Sequence, residues 1–307
     1  MNNLIVGGTS GLGLELARNM AAADEPVIIS GRHDPLVGFA EYRHLDLGTG
    51  NLPDRIGEFV ANLPPIKSLI YAAGFYQDGH ITDLSDEDVD TMIDVGGRGL
   101  IFSVKKLLEK QGKVDELVTI TSTSQWTPRE YEPVYNFVKA GAGHYSHGQA
   151  LDPRISKTIV VGTSGMATEF WNGTGKDASS MMRPQWVAGQ VMELRKRTDK
   201  YTFAKILGAT ADLPQRVEID EPALTSQQTV GNKIKEQRAR LGLGAAEAAE
   251  LVGVSRFYLA CIEKGVSPRQ NKEKEWRPSR KVIMAAAEAL KMDPNTLLID
   301  AGYAPIE

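Results

Sequence analysis

Across residues 1–208, short apolar runs alternate with longer stretches in which apolar side chains recur every three or four positions. The runs at 4–6, 27–30, 68–71, 117–121, 157–161 and 201–207 are rich in Val, Ile, Leu or Thr. Each is bounded by Gly, Pro or Asn, and they predict buried strands. The stretches at 12–23, 54–62, 87–110, 134–150 and 185–197 carry the helical period. This alternation predicts an α/β fold, a Rossmann-like doubly wound parallel sheet with helices on both faces. Residues 209–228 lose the pattern and carry Pro214, Pro222 and a run of Ser, Thr and Gln, which predicts a linker. Beyond it the β-branched runs stop. Helical segments at 230–241, 245–252, 256–264, 279–290 and from 294 predict a small all-α domain over residues 229–307.

Composition changes this picture little. The chain has 307 residues, 42% apolar and 24% charged, enough to bury a core. Its one cysteine, Cys261, excludes a disulfide within the chain and argues against a cysteine-based metal site, so no metal is expected. No run approaches the roughly 18 apolar residues of a membrane span, and the first residues lack the pattern of a signal peptide. The expectation is a soluble, cytoplasmic protein. The net charge of −4 is unevenly spread. Residues 223–307 carry 13 basic and 10 acidic side chains, whereas the preceding 222 carry 22 and 29. A mildly basic tail behind an acidic front predicts different partners for the two parts.

Glycine is enriched, at 30 residues, and its placement is informative. Gly7-Gly8-Thr9-Ser10-Gly11-Leu12-Gly13 follows the first strand and opens the first helix, the context that a dinucleotide-binding loop requires. Gly7 permits the turn, Gly11 the approach of a pyrophosphate, and Gly13 close packing of helix on strand. The helix N-terminus presents free N–H groups to phosphate.

The G-x-x-x-G-x-G spacing resembles that of short-chain dehydrogenases/reductases, and further residues extend the resemblance over roughly residues 1–208. Tyr71-Ala72-Ala73-Gly74 is similar to the family's N-A-G turn, with Tyr71 in the Asn place. Asp46 matches an Asp that contacts the adenine ring. Tyr135 and Lys139 match the catalytic Y-x-x-x-K pair, with Ser122 thirteen residues earlier. Ser164-Gly165-Met166-Ala167-Thr168 is similar to a P-G-x-x-T segment. The resemblance implies cofactor contacts from Gly7, Thr9, Ser10, Gly11, Leu12, Gly13, Ala73, Gly74, Tyr135, Lys139 and Thr168. The second strand ends Ser30-Gly31-Arg32 without a carboxylate, and Arg32 can fork onto a 2′-phosphate, so NADP(H) is favoured over NAD(H).

Residues four apart share a helix face, so Tyr135 and Lys139 point the same way. A free tyrosine is a poor acid or base near neutrality, and a nearby cation lowers its pKa. Lys139 is therefore expected to tune Tyr135 and hold the ribose, Tyr135 to exchange a proton with a substrate oxygen, and Ser122 to hydrogen-bond that oxygen. One departure stands out. Gly96 falls where the family carries an Asn in the fourth helix. Gly96, Gly97 and Gly99 should each weaken that helix by about 1 kcal/mol relative to alanine. The segment between Phe170 and Pro184 is short and predicts little lid.

The segment from Gly231 to Gly302 resembles the phage Cro/cI (XRE) helix-turn-helix family. Residues 247–255 supply the first motif helix, a turn glycine (Gly253) and an N-cap (Ser255). Residues 256–264 are then the recognition helix, and Arg238 and Glu263 match a structural ion pair. The resemblance implies double-stranded DNA as partner, with Ser255, Arg256, Phe257, Ala260, Cys261 and Lys264 on the DNA side. Leu259 and Ile262 face the core, and Arg256 is a guanine reader. A basic loop with Arg269, Lys272, Lys274 and Arg277 is either a phosphate-binding arm or a solvated flap.

Together these features lead to a DNA-binding transcriptional regulator responding to NADP(H) or a ligand. The alternative is an active NADPH-dependent carbonyl reductase or alcohol dehydrogenase whose helical tail serves assembly or localisation. Both families suggest a homodimer or homotetramer.

Overall fold

The computed structural model describes every residue except 49, 211–212, 221–225, 266–276, 302, 305 and 307. The chain forms two compact units, Met1–Glu221 and Pro222–Glu307.

In the first unit β1 (Asn2–Val6), β2 (Val27–Gly31), β3 (Glu41–His44), β4 (Ile66–Tyr71), β5 (Val114–Ser122), β6 (Ile155–Thr163), β7 (Tyr201–Leu207) and β8 (Arg216–Asp220) form one sheet. Its order among the described residues is β3-β2-β1-β4-β5-β6-β7-β8, parallel throughout except for the antiparallel β8. The order reverses between β1 and β4, where an open α/β sheet leaves a crevice at its carboxyl edge.

Strand residues alternate between the two faces. Leu4, Val6 and Leu69 pack against Leu52, Ile56 and Val60 of α2 (Leu52–Ala61) and against Leu100, Val104 and Leu107 of α4 (Gly99–Gln111). Ile5 and Ile70 pack the other way, against Leu16 and Met20 of α1 (Gly11–Ala22) and Val187 and Val191 of α6 (Pro184–Arg195). Two further helices are α3 (Asp86–Ile93) and α5 (Pro133–Gln149).

The helix expected over 87–110 is not uniform. Between α3 and α4, Asp94–Arg98 forms a π-helical turn. Tyr71, fully buried at the end of β4, donates its hydroxyl to the Val95 carbonyl at 2.5 Å inside that turn. The expected linker at 209–228 also differs, because it carries β8 and the start of α7 (Ser226–Arg240). Strand β3 has no buried residue and gave no apolar run to read.

Among the described residues the second unit is all helical: α7, α8 (Ala245–Val252), α9 (Arg256–Lys264), α10 (Arg280–Ala289) and α11 (Pro294–Asp300). Val230, Ile234, Ala249, Val252, Leu259, Ile262, Ile283 and Leu297 form its core. Helix α8 ends on Gly253, whose φ of +71° glycine adopts without strain. Helix α9 begins three residues later, its N-cap Ser255 accepting from the Tyr258 N–H at 3.1 Å.

Candidate functional site

A cleft of about 720 Å³ opens at the carboxyl edge of the sheet, where β1 and β4 diverge. The loop after β1 forms its floor. Gly7 has φ +80°, and a β-carbon there would lie 2.5 Å from the Ala73 nitrogen. A side chain on Gly13 would collide with the Gly7 carbonyl, so the loop and α1 fold tightly only with glycine at both places. At the start of α1, Ser10 is the N-cap but its hydroxyl caps nothing, and the first turn holds no acidic residue. Free N–H groups at a helix N-terminus, with no carboxylate among them, suit a phosphate.

The other residues expected at a dinucleotide line the same cleft. They are Thr9, Gly11, Leu12, Arg32, Asp46, Ala73, Gly74 and Thr168, together with Ser122, Tyr135 and Lys139. Arg32 is exposed just past β2, at the cleft wall. The Asp46 carboxylate accepts from the Gly48 N–H at 2.9 Å, which fixes its turn.

Ser122 ends β5, and Tyr135 and Lys139 lie one turn apart on α5, both buried. Lys139 donates to the Ile120 carbonyl at 3.3 Å, and its ammonium stands 5.5 Å from the Tyr135 ring centroid. Burial first, and then the Glu132 charge, push the Tyr135 hydroxyl well above the ordinary phenol value. Hydrogen bonding by Ser122 and the charge of Arg129 act to lower it. The Lys139 pKa falls to about 8, because burial disfavours the ammonium.

The far end of the cleft is built by residues that the sequence reading missed. Tyr76 meets Tyr135 edge to face at 5.0 Å, and Phe170 and Trp171 continue the aromatic wall. Glu132, just before α5, is buried and central. It accepts from Ser124 at 2.8 Å, Tyr76 at 3.2 Å, Arg129 at 3.3 Å and Lys176 at 3.4 Å. Burial raises the Glu132 carboxyl, but the Ser124 hydrogen bond and the Arg129 and Lys176 charges outweigh it and hold the group below the ordinary range. Lys176 lies in the short segment before α6 that was expected to supply little lid. Its ammonium stands over the rings of Tyr76 and Trp171, at 4.3 and 5.2 Å. Glu132 was within reach of the sequence reading, since it precedes Tyr135 by three residues. Lys176 was not, since only the fold brings it to Tyr76.

The family model for short chain dehydrogenases matches residues 2–178. The chain belongs to the short-chain dehydrogenase family. An uncharacterized oxidoreductase of Staphylococcus epidermidis is 24% identical over 205 residues, covering 62% of this chain and 88% of the relative. A short-chain dehydrogenase/reductase from Vibrio parahaemolyticus superposes with a TM-score of 0.58 at 24% identity, over 67% of this chain and 99% of the other. A short-chain dehydrogenase from Sphingobium yanoikuyae, solved in complex with NADPH, gives 0.59 at 19% identity, over 66% and 87%. Gly96 stands where the sequence reading expects an Asn, and the packing around it is tight. A side chain there would collide with Val138 of α5.

In the second unit the residues expected on a DNA-facing side separate. Arg256, Phe257 and Lys264 are exposed, Phe257 at 66%, and so is the N-cap Ser255. Ala260 is half-buried. Cys261 is a correction: it is 6% exposed, on the packed side of α9. Leu259 and Ile262 alone defined too narrow a face, because α9 packs on both α7 and α8 and so buries a broader stripe. Arg238 forks onto Glu263, Nε to Oε1 at 2.7 Å and Nη2 to Oε2 at 3.1 Å. Arg269, Lys272 and Lys274 lie outside the described residues. Arg277 stacks over the Tyr303 ring at 4.1 Å. Among the described residues no three His, Cys, Asp or Glu side chains group as metal ligands, and no helix is long and apolar enough to cross a membrane.

Proposed function

We propose that this protein is an NADP(H)-dependent oxidoreductase that interconverts a carbonyl and an alcohol. The convergence of the glycine loop, Arg32 and the Ser122–Tyr135–Lys139 group in one cleft carries the reading. The loop and the α1 N-terminus would hold the pyrophosphate, Arg32 the 2′-phosphate, and Lys139 the ribose. The bound dinucleotide would supply or accept hydride. Tyr135 would pass a proton to or from the substrate oxygen while Ser122 holds that oxygen in place. Acid–base help of this kind is worth about 10²–10⁴ in rate. The relative solved with NADPH supports the choice of dinucleotide, as does a serine dehydrogenase complexed with NADP⁺. This ordering reverses the sequence reading, which put regulation first. A cleft lined by Ser122, Tyr135 and Lys139 together supports catalysis more directly than the helical unit supports regulation. Fluorescence titration tests the reading: saturable NADPH binding supports it, and binding of neither NADPH nor NADH overturns it.

A second reading has its own observation. Helices α8 and α9, joined through Gly253, leave Arg256, Phe257 and Lys264 exposed on α9, and this arrangement supports a helix-turn-helix contact with double-stranded DNA. On this reading the protein is a homodimer or homotetramer that presents paired α9 helices to a two-fold operator, with dinucleotide or a ligand as effector. Gel filtration at micromolar concentration tests the assembly: a clean monomer contradicts paired half-sites.

A further inference from the structure

Lys176 fills a cage at the far end of the cleft. Its ammonium lies over the Tyr76 ring at 4.3 Å and the Trp171 ring at 5.2 Å, and it donates to the Tyr76 hydroxyl. Glu132 Oε1 stands 3.4 Å from it and Asp78 Oδ2 3.8 Å. Two π faces and two carboxylates around one nitrogen suit an organic ammonium. The cage adjoins the reacting centre, since the Tyr76 and Tyr135 rings meet at 5.0 Å. Its charge balance depends on the occupant. Arg129, 3.3 Å from Glu132, is the other cation of this cluster. Without the Lys176 ammonium, Asp78 and Glu132 would face Arg129 alone and the cluster would be one positive charge short. With it, both cations are already paired, which leaves no surplus positive charge to recruit an anion.

The segment that delivers Lys176 has few other ties. Among the described residues, the hydrogen bonds of 172–180 stay within 169–181, except those of the Lys176 ammonium. Gly173 and Gly175 have φ of +84° and +70°, and a β-carbon on either would meet nothing within 4 Å. The Lys176 side chain is 32% exposed, so water reaches it. A segment held to the opposite wall through one side chain can yield that side chain to a competing cation while the rest of the fold stays intact.

We propose that Tyr76, Trp171, Glu132 and Asp78 form the subsite for a cationic nitrogen on the substrate, which displaces the Lys176 ammonium that fills the cage in the ligand-free protein. The substrate class is then a ketone, aldehyde or alcohol that also carries a protonated amine. The inference rests on the oxidoreductase reading. The nitrogen takes no part in hydride or proton transfer; it orients the molecule with its oxygen toward Tyr135. Lys176 sets selectivity, because a neutral compound has no charge with which to replace it.

Two measurements on the full-length protein test the subsite. The first needs neither dinucleotide nor turnover: calorimetric titration with choline and with its neutral isostere 3,3-dimethylbutan-1-ol. Lys176→Ala should tighten choline binding by about tenfold or more and leave the neutral alcohol unchanged. Choline affinity unmoved by Lys176→Ala, or an equal gain for the neutral alcohol, overturns the proposal. So does acetate binding that Lys176→Ala abolishes, which would make Lys176 a reader of anions. The second is NADPH-dependent reduction of 5-(dimethylamino)pentan-2-one beside its neutral isostere 6-methylheptan-2-one. In Lys176→Ala the amino ketone should be favoured in kcat/KM by about tenfold or more, and no preference for it overturns the proposal. If the unaltered protein reduces no carbonyl compound at all, the oxidoreductase reading fails, and the choline titration alone decides whether the cage binds a cation.

Discussion

The Tyr71 hydroxyl fills the space beside Gly99 that a side chain at that position would need. Tyr71 closes β4, and its side chain reaches into the π-helical turn ahead of α4. Glycine at 99 and tyrosine at 71 are thus one packing solution. Gly99→Ala should destabilise by about 1–3 kcal/mol through overpacking. Tyr71→Phe should cost about 1 kcal/mol through the lost hydrogen bond to Val95. The double variant should be more stable than the two losses added together, because Phe removes the atom that the new methyl meets. Urea unfolding of the four proteins checks this, and simple additivity contradicts it.

Arg32 should discriminate between dinucleotides. Arg32→Ala should weaken NADPH by tenfold to a hundredfold, about the value of a charge-assisted hydrogen bond, and leave NADH nearly unchanged. Equal losses for both in a fluorescence titration would refute the 2′-phosphate assignment.

Lys139 should give the ligand-free protein a pH-dependent stability. Its folded pKa of about 8 lies below the ordinary value of 10.5, so between those values the unfolded chain binds the extra proton. Stability from this group therefore rises with pH across that window, and the full cost of the buried ammonium is felt below it. Thermal unfolding from pH 7 to 9.5 should show the rise, and Lys139→Met should remove it. A slope that persists in Lys139→Met would assign it to other groups.

Much of the fold was legible because its strands are buried on both faces and read as continuous apolar runs, as at Leu69–Ile70 or Val160–Val161. The edges were not. Glu41–His44 and Arg216–Asp220 pair through backbone while their side chains stay half or fully exposed, so no hydrophobic pattern marks them. The site was legible where its chemistry is local: the glycine loop, and Tyr135 with Lys139 four residues on. Its far end was not, because Tyr76, Glu132 and Lys176 come together only through the fold. Nor does spacing reveal burial, which leaves Tyr135 a harder acid than the lysine beside it suggested.

For the second reading, Arg256→Ala should reduce sequence-specific duplex affinity by about 1–3 kcal/mol if it reads a base. Lys264→Ala should weaken binding evenly across sequences and lower its salt dependence. Selection of duplexes from a random pool at one fixed salt, with and without NADPH, supplies the site. No enrichment in either condition contradicts DNA binding.

The most direct test of the central claim is NADPH oxidation by the purified protein over a panel of aldehydes and ketones, beside Tyr135→Phe. The account predicts turnover that Tyr135→Phe lowers by about 10²-fold or more while still binding NADPH. Turnover unaffected by Tyr135→Phe, or NADPH binding with no substrate reduced anywhere in the panel, would contradict it.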